Sequence, residues 1–191
     1  MTVQQVFAEH AAVMQDAAAT LPSGLEEVTT VLQTCLENRH KILACGNGGS
    51  AAAAQHLVAE LVVRFCNDRR ALAAIALSAD TMTLTAIGND YGYERIFARQ
   101  VEAIASPGDV LVAISTSGNS ANVIEAAKTA QTIGCRVIAL TGSDGGEIAS
   151  HADLVVRAPS SVVARIQEVH DVCIHAIAEA LEENVRRASP S

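Results

Sequence analysis

Apolar residues along this chain follow two rhythms, and the change between them marks its organisation. Val3, Phe7, Ala11 and Met14 recur at helical spacing, Leu21-Pro22-Ser23-Gly24 forms a turn, and a second helical stretch covers 25–36. From residue 41 onward, short β-rich runs alternate with helical segments. Runs at 41–45, 73–77, 109–114, 136–140 and 153–157 predict strands, and the stretches 50–65, 93–104 and 120–133 predict helices between them. Between 81–87 and the next helix, Gly88-Asn89-Asp90-Tyr91-Gly92 reads as a polar turn. A long helix over 162–186 is followed by a polar tail, 187–191.

Strands that alternate with helices need crossover connections, so they lie parallel with helices on both faces. The expected fold class is α/β: a doubly wound, five-stranded parallel sheet of flavodoxin-like order flanked by helices, with N-terminal helices. It forms a single domain over 1–191, with a helical segment at 1–40 and the core and terminal helix at 41–186. Such sheets bind ligands outside the carboxyl ends of their strands.

Composition sharpens this picture. Half the residues are hydrophobic but only 3% are aromatic, with no Trp, so Ala, Val, Ile and Leu must build the core and its layers can approach closely. No apolar run is long enough to span a bilayer, and Gln4, Gln5, Glu9 and His10 are unlike a signal peptide. A cytoplasmic location with no membrane partner is expected. The five cysteines are odd in number and contain no CxxC pair, which excludes a disulfide framework and a zinc ribbon and predicts inert buried thiols. A net charge of -8, with basic pairs only at Arg69-Arg70 and Arg186-Arg187, argues against nucleic acid. An anionic small molecule would need a local site that outweighs the global repulsion.

Two loops offer such a site. Cys45-Gly46-Asn47-Gly48-Gly49-Ser50 leaves the first β/α strand, and its glycines let backbone N–H groups turn toward a ligand. Ser115-Thr116-Ser117-Gly118-Asn119-Ser120 leaves the third strand and brings hydroxyls to a helix N-terminus. No P-loop Lys is present, so this is not a nucleoside triphosphate cradle of the GxxxxGK type. Charge-assisted hydrogen bonds contribute about 1.5–3 kcal/mol each, and a helix terminus up to about 2 kcal/mol. Four or five such terms offset an association cost of about 4–15 kcal/mol and leave micromolar-to-millimolar binding of a phosphate.

Ionisable candidates sit on two helices. His56 and Glu60 are four residues apart, and so share a face among small or apolar neighbours. The terminal helix carries Gln167, Glu168, His170 and His175, with Gln167 and His175 on nearly one stripe. Spacing does not rank His170 below His175. Two imidazoles, a carboxylate and an amide suit an N/O metal site. A carboxylate and an imidazole alternatively form the base–acid pair that aldose–ketose isomerisation needs.

The stretches 45–60 (CGNGGSAAAAQHLVAE), 84–97 (LTAIGNDYGYERIF), 108–126 (GDVLVAISTSGNSANVIEA), 137–146 (VIALTGSDGG) and 164–175 (ARIQEVHDVCIH) together resemble the SIS (sugar isomerase) family. Within it they are similar to the sedoheptulose 7-phosphate, or phosphoheptose, isomerases. STSGNS alone marks only a SIS domain; the heptose assignment rests on its combination with GNGGS, the His56/Glu60 spacing and Gln167 with His175. The resemblance implies conversion of D-sedoheptulose 7-phosphate to D-glycero-D-manno-heptose 7-phosphate through an enediol. That is the first step toward nucleotide-activated heptose and, beyond it, lipopolysaccharide.

It also implies roles for residues. Glu60 would be the general base and His175 the acid/base partner, and one zinc ion per subunit would be held by His56, Glu60, Gln167 and His175. Substrate contacts would come from Asn47, Gly48, Gly49, Ser50, Asn89, Asp90, Ser115, Thr116, Ser117, Ser120 and Gln167. The resemblance further implies a homotetramer, assembled through 1–40, with active sites at subunit interfaces where one chain's terminal helix meets another's first α/β helix. Ala53 and Ala164 depart from the family pattern, which commonly has Asp at the former and Asp or Thr at the latter. Two other readings are non-catalytic SIS tetramers that bind the replication initiator DnaA, which lack counterparts of Glu60 and His175, and isomerases of other sugar phosphates. Among the latter, arabinose 5-phosphate isomerases usually carry tandem regulatory domains for which 191 residues leave no room.

Overall fold

The structure, a computed structural model, describes residues 2–188. Helix α1 (Val3–Thr20) opens with a capping box in which the Thr2 hydroxyl accepts from Gln5 N and the Gln5 side chain accepts from Thr2 N. Helix α2 (Pro22–Glu37) starts on Pro22, whose missing N–H costs nothing at that position. The strands β1 (Ile42–Gly46), β2 (Ala74–Ala76), β3 (Val110–Ile114), β4 (Arg136–Thr141) and β5 (Leu154–Arg157) form one parallel sheet in the order β2-β1-β3-β4-β5. Every residue of β1 and β3 is buried, as continuous apolar runs in a two-sided sheet require.

Side chains that alternate along the strands feed two cores. Ile42, Ala44, Val110, Val112 and Ile138 pack with α2, α3 (Gly49–Val62) and α7 (Val163–Ala188). Leu43, Leu111, Ala113 and Val137 face the other way, toward α5 (Ala98–Ile104) and α6 (Ala121–Ile133). Connections from β1 and β3 thus leave to opposite faces, and the crevice between their carboxyl ends is the switch point of the sheet. Arg165 ties α1 to α7: it donates to the Val6 carbonyl and pairs with Glu9 and Glu168, and Glu168 in turn holds His10 at 2.7 Å.

Several sequence expectations need correction, beginning with the turn at 21–24, where Pro22, Ser23 and Gly24 already form the first turn of α2. Residues 88–91 are not a turn but the end of helix α4 (Thr81–Tyr91), started by Asp80, whose carboxylate accepts from Met82 N and Thr83 N. Only Ile87 of this helix is buried, so its apolar period is faint, and the chain turns at Gly92, where φ is +87°. The expected 93–104 helix is a 3-10 turn at Tyr93–Arg95 followed by α5, because consecutive Ile96, Phe97 and Ala98 all drive inward. Helix α7 continues to Ala188, so Arg187 lies in its last turn, where Arg186 and Arg187 pair with Glu183; the rest of the expected tail, 189–191, lies outside the described residues. Finally, Cys66 is exposed, unlike Cys35, Cys45, Cys135 and Cys173, because it sits in the loop after α3.

Candidate active site

Two helices begin side by side at the switch point. Beyond β1, the Asn47–Gly49 turn enters α3 with Gly48 at φ +54° and no side-chain cap. A Cβ on Gly49 would collide with the side-chain amide of Gln167, so glycine is required where α7 crosses the turn. Ser50 is buried beneath it, packed against Gly46. Beyond β3, the Ser115–Ser120 loop enters α6. Gly118 adopts φ +66° and touches Gly145 so closely that no Cβ fits, while Gly142 N donates to the Thr116 carbonyl at 3.0 Å.

Hydroxyls in this second loop are not spent as a helix cap. Ser120 occupies the N-cap position of α6 but makes no capping bond; its Oγ lies 3.1 Å from Ser115 Oγ. Thr116 is half-buried, and Ser117 is exposed with its Oγ accepting from Asn119 N at 3.1 Å. By contrast, α1 and α4 are closed by their own side chains. Uncapped N–H groups, clustered hydroxyls and two helix dipoles therefore meet at one place suited to an anion. Asn89 and Asp90 stand apart: both are exposed on α4, and the Asn89 amide donates to Asp90 Oδ1 at 2.7 Å rather than to either loop.

Helices α3 and α7 run alongside one another in the same direction. Gly49 faces Gln167, then His56 faces His175, and beyond the end of α3 Asn67 faces Glu182. His56 Nε2 lies 3.1 Å from Glu60 Oε1 and 3.3 Å from His175 Nε2, and the ligand atoms of all three residues fall within 4.8 Å of one another. The imidazoles meet edge-to-face at 4.9 Å. Zinc–nitrogen bonds of about 2.0–2.1 Å in a tetrahedron place neighbouring ligand atoms about 3.3 Å apart. The donor set and its spacing therefore fit a divalent cation. The cluster is built within one chain, so α7 need not reach another copy's α3 to meet it, contrary to expectation. Gln167 lies two turns before His175, about 12 Å along the axis, with its amide against Gly49.

His170 separates from this group. It is 0% exposed, its Nε2 faces the Thr141 carbonyl at 3.0 Å, and burial pushes its pKa down, so it is a neutral strut between α7 and β4. Ala53 is buried against the core and Ala164 is exposed at the start of α7.

Sequence reasoning missed the groups that support the cluster. The carboxylate of Glu182, 2% exposed, accepts from the backbone N–H groups of Phe65, Cys66 and Asn67. Those bonds end α3 at Val62 rather than at 65. Burial alone would raise the Glu182 carboxyl, but the Asn67 side chain and the three N–H groups outweigh it and hold it at about 2. Arg69 donates to the Glu60 and Leu61 carbonyls at 2.6 and 2.9 Å, capping the helix that carries Glu60. Phe65, held in this loop, places its ring 5.6 Å from that of His175.

Comparison with known proteins agrees on one family. The family model described as "SIS domain" matches residues 5–142. The chain is 49% identical to a phosphoheptose isomerase of Aliarcobacter butzleri, over 94% of this chain and 95% of that one. It is 51% identical to the phosphoheptose isomerase of Neisseria meningitidis, over 92% and 91%. Among solved structures, phosphoheptose isomerase GmhA from Neisseria gonorrhoeae superposes with a TM-score of 0.90 at 48% identity, covering 95% of this chain and 97% of that one. A phosphoheptose isomerase from Francisella tularensis gives 0.93 at 37% identity, covering 96% and 100%.

Proposed function

This chain belongs to the SIS domain family and, within it, to the phosphoheptose isomerases, and from that premise we propose how its own residues act. It is an aldose–ketose isomerase that converts D-sedoheptulose 7-phosphate to D-glycero-D-manno-heptose 7-phosphate. The observation that carries the residue-level reading is the meeting of Glu60, His56 and His175 beside two uncapped helix N-termini.

The phosphate lies between those N-termini, held by Gly48 and Gly49 N–H groups and by Ser115, Thr116, Ser117 and Ser120. Its fixed position extends the sugar toward C1 and C2 along the α3–α7 seam. Glu60 takes the proton from C1 of the ketose, leaving an enediol, and the proton returns at C2 to give the aldose. His175 moves a proton between the two oxygens, so neither carries a full charge at the crest of the barrier. Arg69 and Glu182 hold the end of α3 and the Phe65 loop, which fixes the direction of both groups.

His56, Glu60 and His175 would hold one zinc ion per subunit, and Gln167, whose amide lies against Gly49, would join them as a fourth ligand only by leaving that contact. Bound there, zinc supplies Lewis-acid polarisation of the sugar's carbonyl. Assembly as a homotetramer is supported by an apolar groove of about 530 Å³ between α1, α2 and α7, lined by Met14, Leu21, Leu25, Val169 and Val172. Exposed Val62 and Val63, which follow Glu60, support a site completed at a subunit interface, where a partner would bring groups that Asn89 and Asp90 now lack. Among the described residues no helix is long and apolar enough to cross a membrane, which is compatible with work in the cytoplasm on a precursor of lipopolysaccharide heptose.

A coupled isomerisation assay of the purified protein with sedoheptulose 7-phosphate tests this function. Formation of the heptose 7-phosphate is expected. Phosphate binding without turnover would reduce the protein to a sugar-phosphate binder.

A further inference from the structure

Asn122 is only 2% exposed although it lies in the first turn of α6, where a polar side chain ordinarily stays in water. Its amide pairs reciprocally with that of Asn47. Asn47 Nδ2 donates to Asn122 Oδ1, and Asn122 Nδ2 donates to Asn47 Oδ1, both at 2.8 Å. The Tyr93 hydroxyl donates to the same Asn47 Oδ1 at 3.0 Å. Asn47 immediately precedes Gly48, from which α3 starts. The pair therefore joins the opening of one helix to the opening of the other, across the switch point of the sheet.

Two helix N-termini each carry about half a positive charge and resist close approach until an anion sits between them. Neither is closed by a side-chain cap. Something in the free protein must hold the two turns together, and the buried amide pair spans that gap. We infer that Asn122 is a positioning residue, which sets the distance between the Asn47–Gly49 turn and the Ser115–Ser120 loop so that one phosphate is bound by both. Tyr93, exposed on the 3-10 turn, is the outer tie of the same clamp. Asn47 Nδ2 gives one N–H to Asn122 Oδ1, so its second N–H and its backbone are what Asn47 can offer a sugar phosphate. The clamp rests on the proposed phosphate site and adds the groups that hold it open at the right width.

The test uses inorganic phosphate as the probe, titrated calorimetrically, beside steady-state kinetics with sedoheptulose 7-phosphate and thermal melting. In Asn122→Ala the phosphate Kd and the KM should rise together by about tenfold or more, ahead of any fall in kcat. Asn47→Ala, in a turn rather than a packed helix, breaks the same pair and should give the same pattern if Asn122→Ala folds poorly. The double variant should bind phosphate no more weakly than the worse single one, since the pair is lost once. Tyr93→Phe should raise Kd by about two- to threefold. A wild-type Kd retained in both single variants, or losses that multiply in the double variant, would overturn the clamp and leave the phosphate site standing. Wild-type protein that fails to bind phosphate would overturn the site and the clamp with it.

Discussion

The two halves of the proposed site are built by opposite means. At the carboxyl ends of β1 and β3 the candidate phosphate groups are neutral: glycine N–H groups and serine and threonine hydroxyls, arranged around two helix starts that paired amides join. Along the α3–α7 seam the groups are ionisable, and His56, Glu60 and His175 converge within 4.8 Å. Neutral donors suit a charge that does not change during the reaction, because dipoles fixed by the fold need no proton bookkeeping. Proton transfer needs groups that change charge, and these sit where the side chains of two helices can be aimed by packing. On the proposed reading, a protein with a net charge of -8 binds a phosphate through backbone and hydroxyl donors rather than a cluster of lysines.

Substitutions should separate these halves. The largest effect is expected from Glu60→Gln, which keeps the shape of the seam but removes the base. Turnover should fall by at least about a thousandfold, while inorganic phosphate still binds at the loops. Near-normal turnover would remove Glu60 from the chemistry. Chelation should come next: activity is lost on dialysis against a strong chelator and returns with zinc, with one ion bound per subunit by elemental analysis. Indifference to both would leave a metal-free acid–base pair. On the neutral side, Ser115→Ala and Ser117→Ala should each raise KM by about tenfold with a smaller change in kcat, as loss of one charge-assisted hydrogen bond requires. An unchanged KM in both would count against the loop.

The smallest effect concerns stability rather than rate. Glu182 ionises well below its ordinary value of 4.5, at about 2, so the bonds it makes to Phe65, Cys66 and Asn67 favour the folded state whenever it is charged. That contribution is fully present above about pH 4.5 and is lost as pH falls toward 2. Melting temperature should therefore drop across this window in the wild type, and the drop should flatten in Glu182→Gln. Parallel acid profiles would show that the carboxylate is not the group responsible.

Much of this arrangement is readable from residue order. Continuous apolar runs such as Ile42–Gly46 and Val110–Ile114 declare buried parallel strands, and the glycine and hydroxyl motifs fall at their ends. His56 and Glu60 announce themselves as polar exceptions on an apolar helix. What stayed hidden depended on tertiary contact. Helix α4 buries only Ile87, so no period betrays it, and Asn89 and Asp90 look in sequence like part of a polar turn although they lie on the helix. His170 and His175 look alike in sequence; only burial against Thr141 separates the strut from the cluster. Asn122 and Glu182 are ordinary helix polar residues until the fold buries them against Asn47 and the loop after α3.

The division of labour is tested most directly by proton NMR of sedoheptulose 7-phosphate incubated in deuterated water. The wild type should wash solvent deuterium into the sugar carbons C1 and C2, and Glu60→Gln should not, although it binds inorganic phosphate with the wild-type Kd. Exchange at the wild-type rate in that variant would contradict the assignment of the proton to the α3–α7 seam.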